Sequence, residues 1–306
     1  SEDIRRVGLE LAAVHVQATL RSDERDALRR ARSDPHHHAA LVLVDQLVAL
    51  RDLVPALLVV LRGSLDLDRA LLTTRFEDLL EDPQVAVVVE LMGGVDQPLA
   101  LVRGALEHGK HVVTANKALL AARGDEIFRL ARAKGVDVYY EAAVCGGVPI
   151  IRTLREALAS DRITSLHGIV NGTTNFILTA MADRGEPIEV ALAEAQRLGY
   201  AEADPSLDVS GGDAAQKLCV LAQLAFGARL SPADVLTEGI MALSPTDLRW
   251  GKEMGYALKL LAVARRCGAG DQIEARVHPA FIPAGSLPPG VRGARNPGGL
   301  RPAALA

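Results

Sequence analysis

Short apolar runs alternate with amphipathic stretches from Glu81 onward. Three runs predict buried strands, namely Val85–Leu91, His111–Ala115 and Val136–Val144. The stretches between them repeat apolar residues at helical spacing and end at Gly109 and Gly135, as helices commonly do, and the second helix is predicted over Lys117–Lys134. The order strand, helix, strand, helix, strand predicts a parallel sheet with right-handed crossovers.

A second region begins near Gly146. A helix over IIRTLREALA leads into the strand ITSLHGIV, which ends at an Asn-Gly pair, and Thr173 or Thr174 can cap the helix that follows. Later elements are predicted as a helix over Glu186–Leu198, a long apolar helix from about Asp213, and mixed helix and strand from Ile240 to Ile282.

The two ends of the chain lack this periodicity. ELAAVHV can form a strand and Asp23–Arg32 a helix, but no G-x-G-x-x-G turn joins them, and Gln17 to about Leu67 matches no pattern. The triplet His36–His38 lies in a polar segment without further ligands, which favours a solvated loop over a metal site. Beyond Ile282, a mixture of Pro, Gly, Arg and Ala predicts disorder.

These patterns predict an α/β protein with three parts. An incomplete Rossmann-type nucleotide-binding domain is expected over residues 1–140, and an α/β catalytic domain with a mixed sheet over 141–283. A low-complexity, disordered tail is expected over 284–306.

Composition excludes several classes of protein. A chain of 306 residues with 49% hydrophobic content can bury the cores of two domains. No apolar run reaches the roughly 18 residues of a membrane helix, and interspersed charges with a net charge of -4 do not resemble a nucleic-acid footprint. No secretory signal is visible, and three widely spaced cysteines provide no disulfide framework. A reducing cytoplasm is therefore predicted, with neither membrane nor nucleic acid as a partner.

Polar residues near the ends of predicted strands mark candidate sites, because ligands bind at those ends in open α/β sheets. In VVTANK, Lys117 can approach an anionic ligand or a reacting oxygen, the alternative being an ordinary exposed lysine. In EAAVCGGVP, the glycine pair can turn carbonyls outward to ligate a monovalent cation together with Glu141, the alternative being a plain interdomain turn.

Two further segments carry candidate chemistry. The amides and hydroxyls of GIVNGTTNF can bind a carboxylate or phosphate, the alternative being a simple capped turn. In GYAEADPSLDVSGGDAAQKL, Asp213 and Lys217 share one helix face, commonly as a surface ion pair. Apolar neighbours predict instead that Lys217 packs inward near carboxylates, which makes it a candidate proton donor.

The segments TANKALLA, EAAVxGGVPII, GIVNGTTNF and GYAEADPSLDVxGxDAAxKL, in this order and spacing, closely resemble homoserine dehydrogenases from about Leu71 to Ile282. The resemblance implies a Rossmann-type domain, an α/β catalytic domain and a homodimer. It also implies the interconversion of L-homoserine and L-aspartate 4-semialdehyde with NADP or NAD, a step in threonine, methionine and isoleucine biosynthesis.

The resemblance also implies roles for individual residues. Lys217 corresponds to the proton donor, oriented by Asp213, and Lys117 to a residue beside the nicotinamide and the reacting hydroxyl. The implied substrate-binding residues are Glu202, Asp208, Asn171, Gly172 and Thr173, of which Glu202 and Asp208 hold the ammonium. The implied cofactor-binding residues are Gly93, Thr114, Asn116 and Lys117. The implied sodium site consists of Glu141 and the carbonyls of Val144, Gly146 and Val148.

The ends of the chain depart from the family pattern, as expected of a truncated or frame-shifted reading of a longer gene. The first strand, its glycine-rich loop and its helix have no counterpart, which leaves the choice between NAD and NADP open. One alternative is therefore a catalytically impaired remnant or paralogue that binds substrate or pairs with an active subunit. Another is a two-domain dehydrogenase acting on a different aldehyde or hydroxy acid.

Because the pyrophosphate of a dinucleotide rests on amides of the glycine-rich turn, its absence predicts that this chain binds NADPH or NADH weakly. Titration of NADPH fluorescence measures this directly. A dissociation constant in the low micromolar range would contradict this interpretation of the first 80 residues.

Overall fold

The computed structural model describes residues 38–42, 73, 75–267, 272–286 and 298–302. Tertiary contacts divide the chain into two compact units, with the boundary between Ala143 and Val144. No helix in these described ranges is long and apolar enough to cross a membrane.

The first unit is built on a parallel sheet. Its elements in chain order are β1 (His38–Val42), α1 (Phe76–Glu81), β2 (Val85–Glu90), α2 (Asp96–Glu107), β3 (His111–Thr114), α3 (Lys117–Lys134), β4 (Val138–Tyr139) and a 3-10 turn (Glu141–Ala143). The strands are ordered β1-β2-β3-β4, and every neighbouring pair is parallel. The predicted parallel α/β arrangement is therefore confirmed.

Local sequence explains the bounds of α3. Asn116 caps its first turn by accepting a hydrogen bond from the Leu119 amide at 3.0 Å. Gly135 follows the last turn with a φ of 69°, a left-handed conformation that favours glycine. Leu119 and Leu120 are almost fully buried in the core of this unit. The prediction of a helix over Lys117–Lys134 is confirmed.

Two expectations for the first unit differ from the structure. The third strand is limited to Val138–Tyr139, because the chain turns into the 3-10 segment that begins at Glu141. His38 begins β1, where a loop was expected. The difference arises because the backbone of the apolar residues after His38 pairs with β2. His36 and His37, ELAAVHV and the helix predicted over Asp23–Arg32 lie outside the described residues.

The second unit combines helices with a mixed sheet. Its elements are α4 (Ile150–Arg152, continued by a π-turn over Thr153–Ala157), β5 (Ile163–Gly168), α5 (Gly172–Arg184), α6 (Ile188–Arg197), α7 (Ser206–Val209), α8 (Gly212–Phe226), a 3-10 turn (Pro232–Asp234), β6 (Leu236–Thr237), α9 (Pro245–Glu253), β7 (Tyr256–Cys267), β8 (Gln272–Pro283), a 3-10 turn (Ala284–Ser286) and β9 (Gly298–Pro302).

The sheet of the second unit has the order β6-β8-β7-β5-β9. Strand β6 runs parallel to β8, and the other neighbouring pairs are antiparallel, so the predicted mixed sheet is confirmed. Helices α5, α8 and α9 pack against β7. Strand β5 pairs on both sides, with β7 and β9, and leads directly into the turn before α5.

The structure differs from the sequence expectation at two places in this unit. Gly298–Pro302, within the segment expected to be disordered, pairs with β5, because backbone pairing in a sheet does not require apolar periodicity. The cap of α5 is Asn171 rather than Thr173 or Thr174, and its carbonyl oxygen accepts from the Thr174 amide at 2.7 Å.

The buried Lys110, which directly precedes β3, forms hydrogen bonds with the backbone at the start of β2. The Nζ of Lys110 donates to the carbonyls of Asp82 and Val85 at 2.6 and 2.7 Å. We expect Lys110→Met to lower the free energy of unfolding by about 2 kcal/mol, because buried carbonyls lose their donor. Lys134→Met, at an exposed lysine, is the matched control. Equal urea midpoints for the two variants would contradict this role of Lys110.

Candidate active site

The carboxyl ends of β2 and β3 carry a buried hydrogen-bond network. Glu90 ends β2, Thr114 ends β3, and the two are direct partners in the parallel register. The Glu90 carboxylate is fully buried and accepts hydrogen bonds from the Thr114 hydroxyl and, at 2.6 Å, from the Met92 amide. The network therefore joins two strand ends at the edge of the sheet where dinucleotides bind in such folds.

Asn116 extends this network to the turn at Gly93 and Gly94. Its Nδ2 donates to the carbonyls of Met92 and Gly94 at 3.0 and 2.9 Å, while its Oδ1 caps α3. The backbone amide of Asn116 donates to the Thr114 hydroxyl at 3.0 Å. The start of α3 and the turn after β2 are thus held together by one side chain.

The four predicted cofactor residues differ in exposure. Thr114 and Asn116 are buried, whereas Gly93 is exposed and Lys117 is half-buried at the first position of α3. A Cβ at Gly93 would meet no atom within 4 Å, so the turn is open on that side. Gly93 is therefore open to a ligand, Lys117 is partly accessible beside it, and Thr114 and Asn116 shape the backbone around them.

Sequence reasoning missed Glu90. Its signal was present, because a single carboxylate ends the apolar run VAVVVE. Burial raises the pKa of Glu90 above its ordinary value, and hydrogen bonds from Thr114, Met92 and Asn116 oppose that rise.

The second unit holds an ion pair between the partly buried Lys217 and the buried Asp213, one turn apart on α8. The Nζ of Lys217 lies 2.7 Å from the Oδ2 of Asp213, and the side chains are 16% and 7% exposed. Lys217 also donates to the carbonyl of Val170 at 2.9 Å, directly after β5. The pair is not the surface ion pair that this spacing commonly forms, and the expected inward packing of Lys217 is confirmed.

Asn171 links Asp208 to the ion pair of Lys217 and Asp213. Its Nδ2 donates to the Oδ1 of Asp208 at 2.6 Å and to the Oδ2 of Asp213 at 2.8 Å. Two carboxylates and one ammonium therefore meet at the N-terminus of α5. Carboxylates there can hold a cationic group of a ligand, and the lysine can transfer a proton.

The remaining predicted substrate residues lie on either side of this cluster. Gly172 is the first residue of α5, and Thr173 donates its hydroxyl to the carbonyl of Tyr200 at 2.6 Å. Glu202 follows closely in the loop before α7, and its side chain is exposed. The hydrogen bond of Thr173 thus fixes the loop that carries Glu202 against α5.

Of the predicted sodium ligands, Glu141 begins the 3-10 segment, and Val144, Gly146 and Val148 lie in the turn between that segment and α4. Cys145 and Gly147 have φ angles of 50° and 82°, so the backbone turns sharply on each side of Gly146. The Val148 carbonyl accepts from the Ile150 amide at 2.7 Å. Clusters of three or more His, Cys, Asp or Glu side chains suited to a metal ion are absent from the described part of the chain.

Comparison with known proteins agrees with this arrangement. A family model described as homoserine dehydrogenase matches residues 149–298, and one described as homoserine dehydrogenase, NAD binding domain matches residues 2–141. A homoserine dehydrogenase of Pseudomonas aeruginosa is 51% identical over 225 residues, which cover 74% of this chain and 51% of that protein. The chain spans about half the length of the curated relatives it matches.

Solved structures give the same result. A homoserine dehydrogenase from Thiobacillus denitrificans matches with a TM-score of 0.73 and 50% identity over 79% of this chain and 57% of that one. A hyperthermophilic archaeal homoserine dehydrogenase mutant in complex with NADPH matches with a TM-score of 0.64 and 28% identity, covering 76% of this chain and 67% of that one.

A parallel α/β unit that matches an NAD-binding model, followed by a unit in which a partly buried lysine pairs with a buried aspartate, is the arrangement typical of the nicotinamide-dependent dehydrogenase class. The chain belongs to the homoserine dehydrogenase family. Nothing in these comparisons favours the impaired remnant or the dehydrogenase of another substrate.

The raised pKa of Glu90 predicts a pH dependence of stability. Between the ordinary and the raised pKa, the folded chain keeps a proton that the unfolded chain releases, so the free energy of unfolding falls as pH rises through that interval. We expect Glu90→Gln to lose less stability than the parent in urea unfolding as the pH rises above the ordinary pKa of a glutamate. Parallel curves would show that Glu90 titrates alike in both states.

Proposed function

We propose that the protein catalyses the NAD(P)-dependent interconversion of L-homoserine and L-aspartate 4-semialdehyde. The observation that carries the proposal is the ion pair of the buried Asp213 with the partly buried Lys217, which Asn171 joins to Asp208. Such a cluster offers a proton donor beside carboxylates suited to an amino-acid ammonium. Membership of the family and the names of its relatives support the same reaction.

The cofactor is NADP or NAD, and when bound it supplies the hydride acceptor and donor of the reaction. The family's NAD-binding model and the NADPH complex of the archaeal neighbour support this. The open, exposed turn at Gly93 and the half-buried Lys117 are the residues that would contact it. Thr114 and Asn116 would hold the turn in place through the bonds already described.

Lys217 would hold and move the proton at the substrate oxygen. Negative charge grows on that oxygen as the aldehyde is reduced, and a positioned ammonium both stabilises and protonates it. Asp213 orients the ammonium by accepting its hydrogen bond at 2.7 Å, and the Val170 carbonyl accepts a second at 2.9 Å. Two of the three N–H donors are thereby directed, which leaves the third for substrate.

The substrate's ammonium and carboxylate would bind to different groups. Asp208 and Glu202 would hold the ammonium by charge, and the first amides of α5, at Gly172 and Thr173, would receive the carboxylate. Amides at this position have no intrahelical acceptor, which suits them to an anion.

Several wider features belong to the same proposal. A sodium ion would be bound by Glu141 with the carbonyls of Val144, Gly146 and Val148, supported by the sharp turn at Cys145 and Gly147. The protein would work as a cytoplasmic homodimer in threonine, methionine and isoleucine biosynthesis, as the resemblance to the family implies.

Replacement of the proposed proton donor tests this function. We expect Lys217→Met to lower kcat for homoserine oxidation about a hundredfold or more at saturating cofactor, because the general acid is lost. The KM for the nicotinamide cofactor should stay nearly unchanged. Lys252→Met, at an exposed lysine of α9, should behave as the parent.

Two results would count against the proposal. A parent that does not oxidise homoserine at any cofactor concentration would refute the reaction itself. A Lys217→Met variant that keeps more than half of the parental kcat would remove Lys217 from the mechanism.

A further inference from the structure

The side chain of Asn171 makes four hydrogen bonds, all of them within the protein. Its Nδ2 donates to Asp208 and Asp213, and its Oδ1 accepts from the amide and, at 2.9 Å, the hydroxyl of Thr174. A side-chain amide has two N–H donors and two acceptor lone pairs, so these bonds use its full capacity. We propose that Asn171 is a positioning residue that holds Asp208 and Asp213 in one arrangement, and so sets the ammonium site relative to the proton donor.

The chemistry of the partners fixes which way the amide points. The Thr174 backbone amide can only donate, so the atom facing it must be the carbonyl oxygen. The two carboxylates can only accept when ionised, so the atom facing them must be the nitrogen. A flipped amide would set oxygen against two carboxylates and nitrogen against a donor. The orientation is therefore imposed by the surroundings.

This arrangement relieves a repulsion. Asp208 and Asp213 both lie within hydrogen-bond distance of one nitrogen, so their accepting oxygens are close together. Lys217 pairs with Asp213 at 2.7 Å, and Asp213 is itself buried. Like charges in a partly buried place repel strongly unless donors or cations lie between them. The amide supplies one N–H to each carboxylate and keeps both directed.

Substitutions at Asn171 can distinguish a role in capping α5 from a role in positioning the two carboxylates. Asn, Asp and Ser are nearly equal as helix caps, because each offers an oxygen to the first turn. Only asparagine among them can also donate two hydrogen bonds in the opposite direction. If Asn171 only capped α5, serine or aspartate would replace it with little effect. If it positions the carboxylates, serine should impair the site and aspartate should impair it more.

The test rests on the proposed function and compares Asn171→Ser with Asn171→Asp in the full chain. Loss of hydrogen bonds to charged groups should lower kcat/KM for homoserine roughly tenfold in the serine variant. The aspartate variant adds a third carboxylate and should lose about a hundredfold. The loss should divide between a higher KM for homoserine, through Asp208, and a lower kcat, through Lys217. The KM for the cofactor should not change in either variant.

Asn175→Asp is the matched control. Asn175 lies one turn along α5, is fully buried, and its Oδ1 accepts from the Nζ of Lys259 at 2.7 Å. The same substitution there introduces the same charge next to a lysine. It should change kcat/KM for homoserine less than about threefold, because Lys259 already lies at hydrogen-bond distance from this position and can pair with the new carboxylate. Equal losses in Asn171→Asp and Asn175→Asp, or near-parental activity of both Asn171 variants, would overturn the proposal.

A spectroscopic measurement separates this inference from the proposed function. Carboxyl carbons of labelled aspartate report their hydrogen bonds in carbon-13 NMR, and Asp208→Asn and Asp213→Asn assign the two signals. Both signals should move in Asn171→Ser and stay in place in Asn175→Ser, whether or not the parent oxidises homoserine. Unmoved signals in Asn171→Ser would overturn the positioning role. A parent without activity but with both signals displaced in the variant would refute the reaction and leave the positioning role standing.

Discussion

In both units, an asparagine placed just before a helix holds the site region in its observed shape. Asn116 and Asn171 each use the carbonyl oxygen to cap a helix and the amide nitrogen to bind groups that face the helix end. For Asn116 those groups are carbonyls of the turn after β2, and for Asn171 they are carboxylates from α7 and α8. The opposite polarity of the two ends of an amide makes each link directional. Helix ends and ligand-facing loops are thereby positioned together.

The buried charged residues in the described part of the chain likewise depend on hydrogen-bond partners that face them. Glu90 is surrounded by donors, and Lys110 by backbone carbonyls. Lys259 donates to Asn175 and Thr179, and Asp213 accepts from Asn171 and Lys217. Burial of a charge is costly unless hydrogen bonds or opposite charges replace water. Each of these groups therefore needs its neighbours in place, which restricts the local backbone to one arrangement.

Sequence reasoning succeeded where the deciding signals were local. The C-terminal bound of α3 followed from a terminal glycine, and the inward position of Lys217 from its apolar neighbours. It failed where the partners are distant along the chain. The bond between Asn116 and Glu90 spans 26 residues, and that between Asn171 and Asp213 spans 42. Periodicity along the chain does not indicate such partners, so the hydrogen bonds that join Thr114 and Asn116 to Glu90 were not predicted. Strand β9 was missed because its pairing with β5 involves residues far apart in the chain.

The pairing of β5 affects the order in which parts of the chain can fold during synthesis. Both neighbours of β5 lie far along the chain from it, because β5 ends at Gly168, whereas β7 begins at Tyr256 and β9 at Gly298. On the ribosome, the segment carrying Val170 and Asn171 emerges long before the strands that hold it. Contacts of such large sequence separation form slowly, and a strand with unpaired edges is open to wrong partners in the meantime. The site in the second unit therefore cannot acquire its native form until β7 has been synthesised.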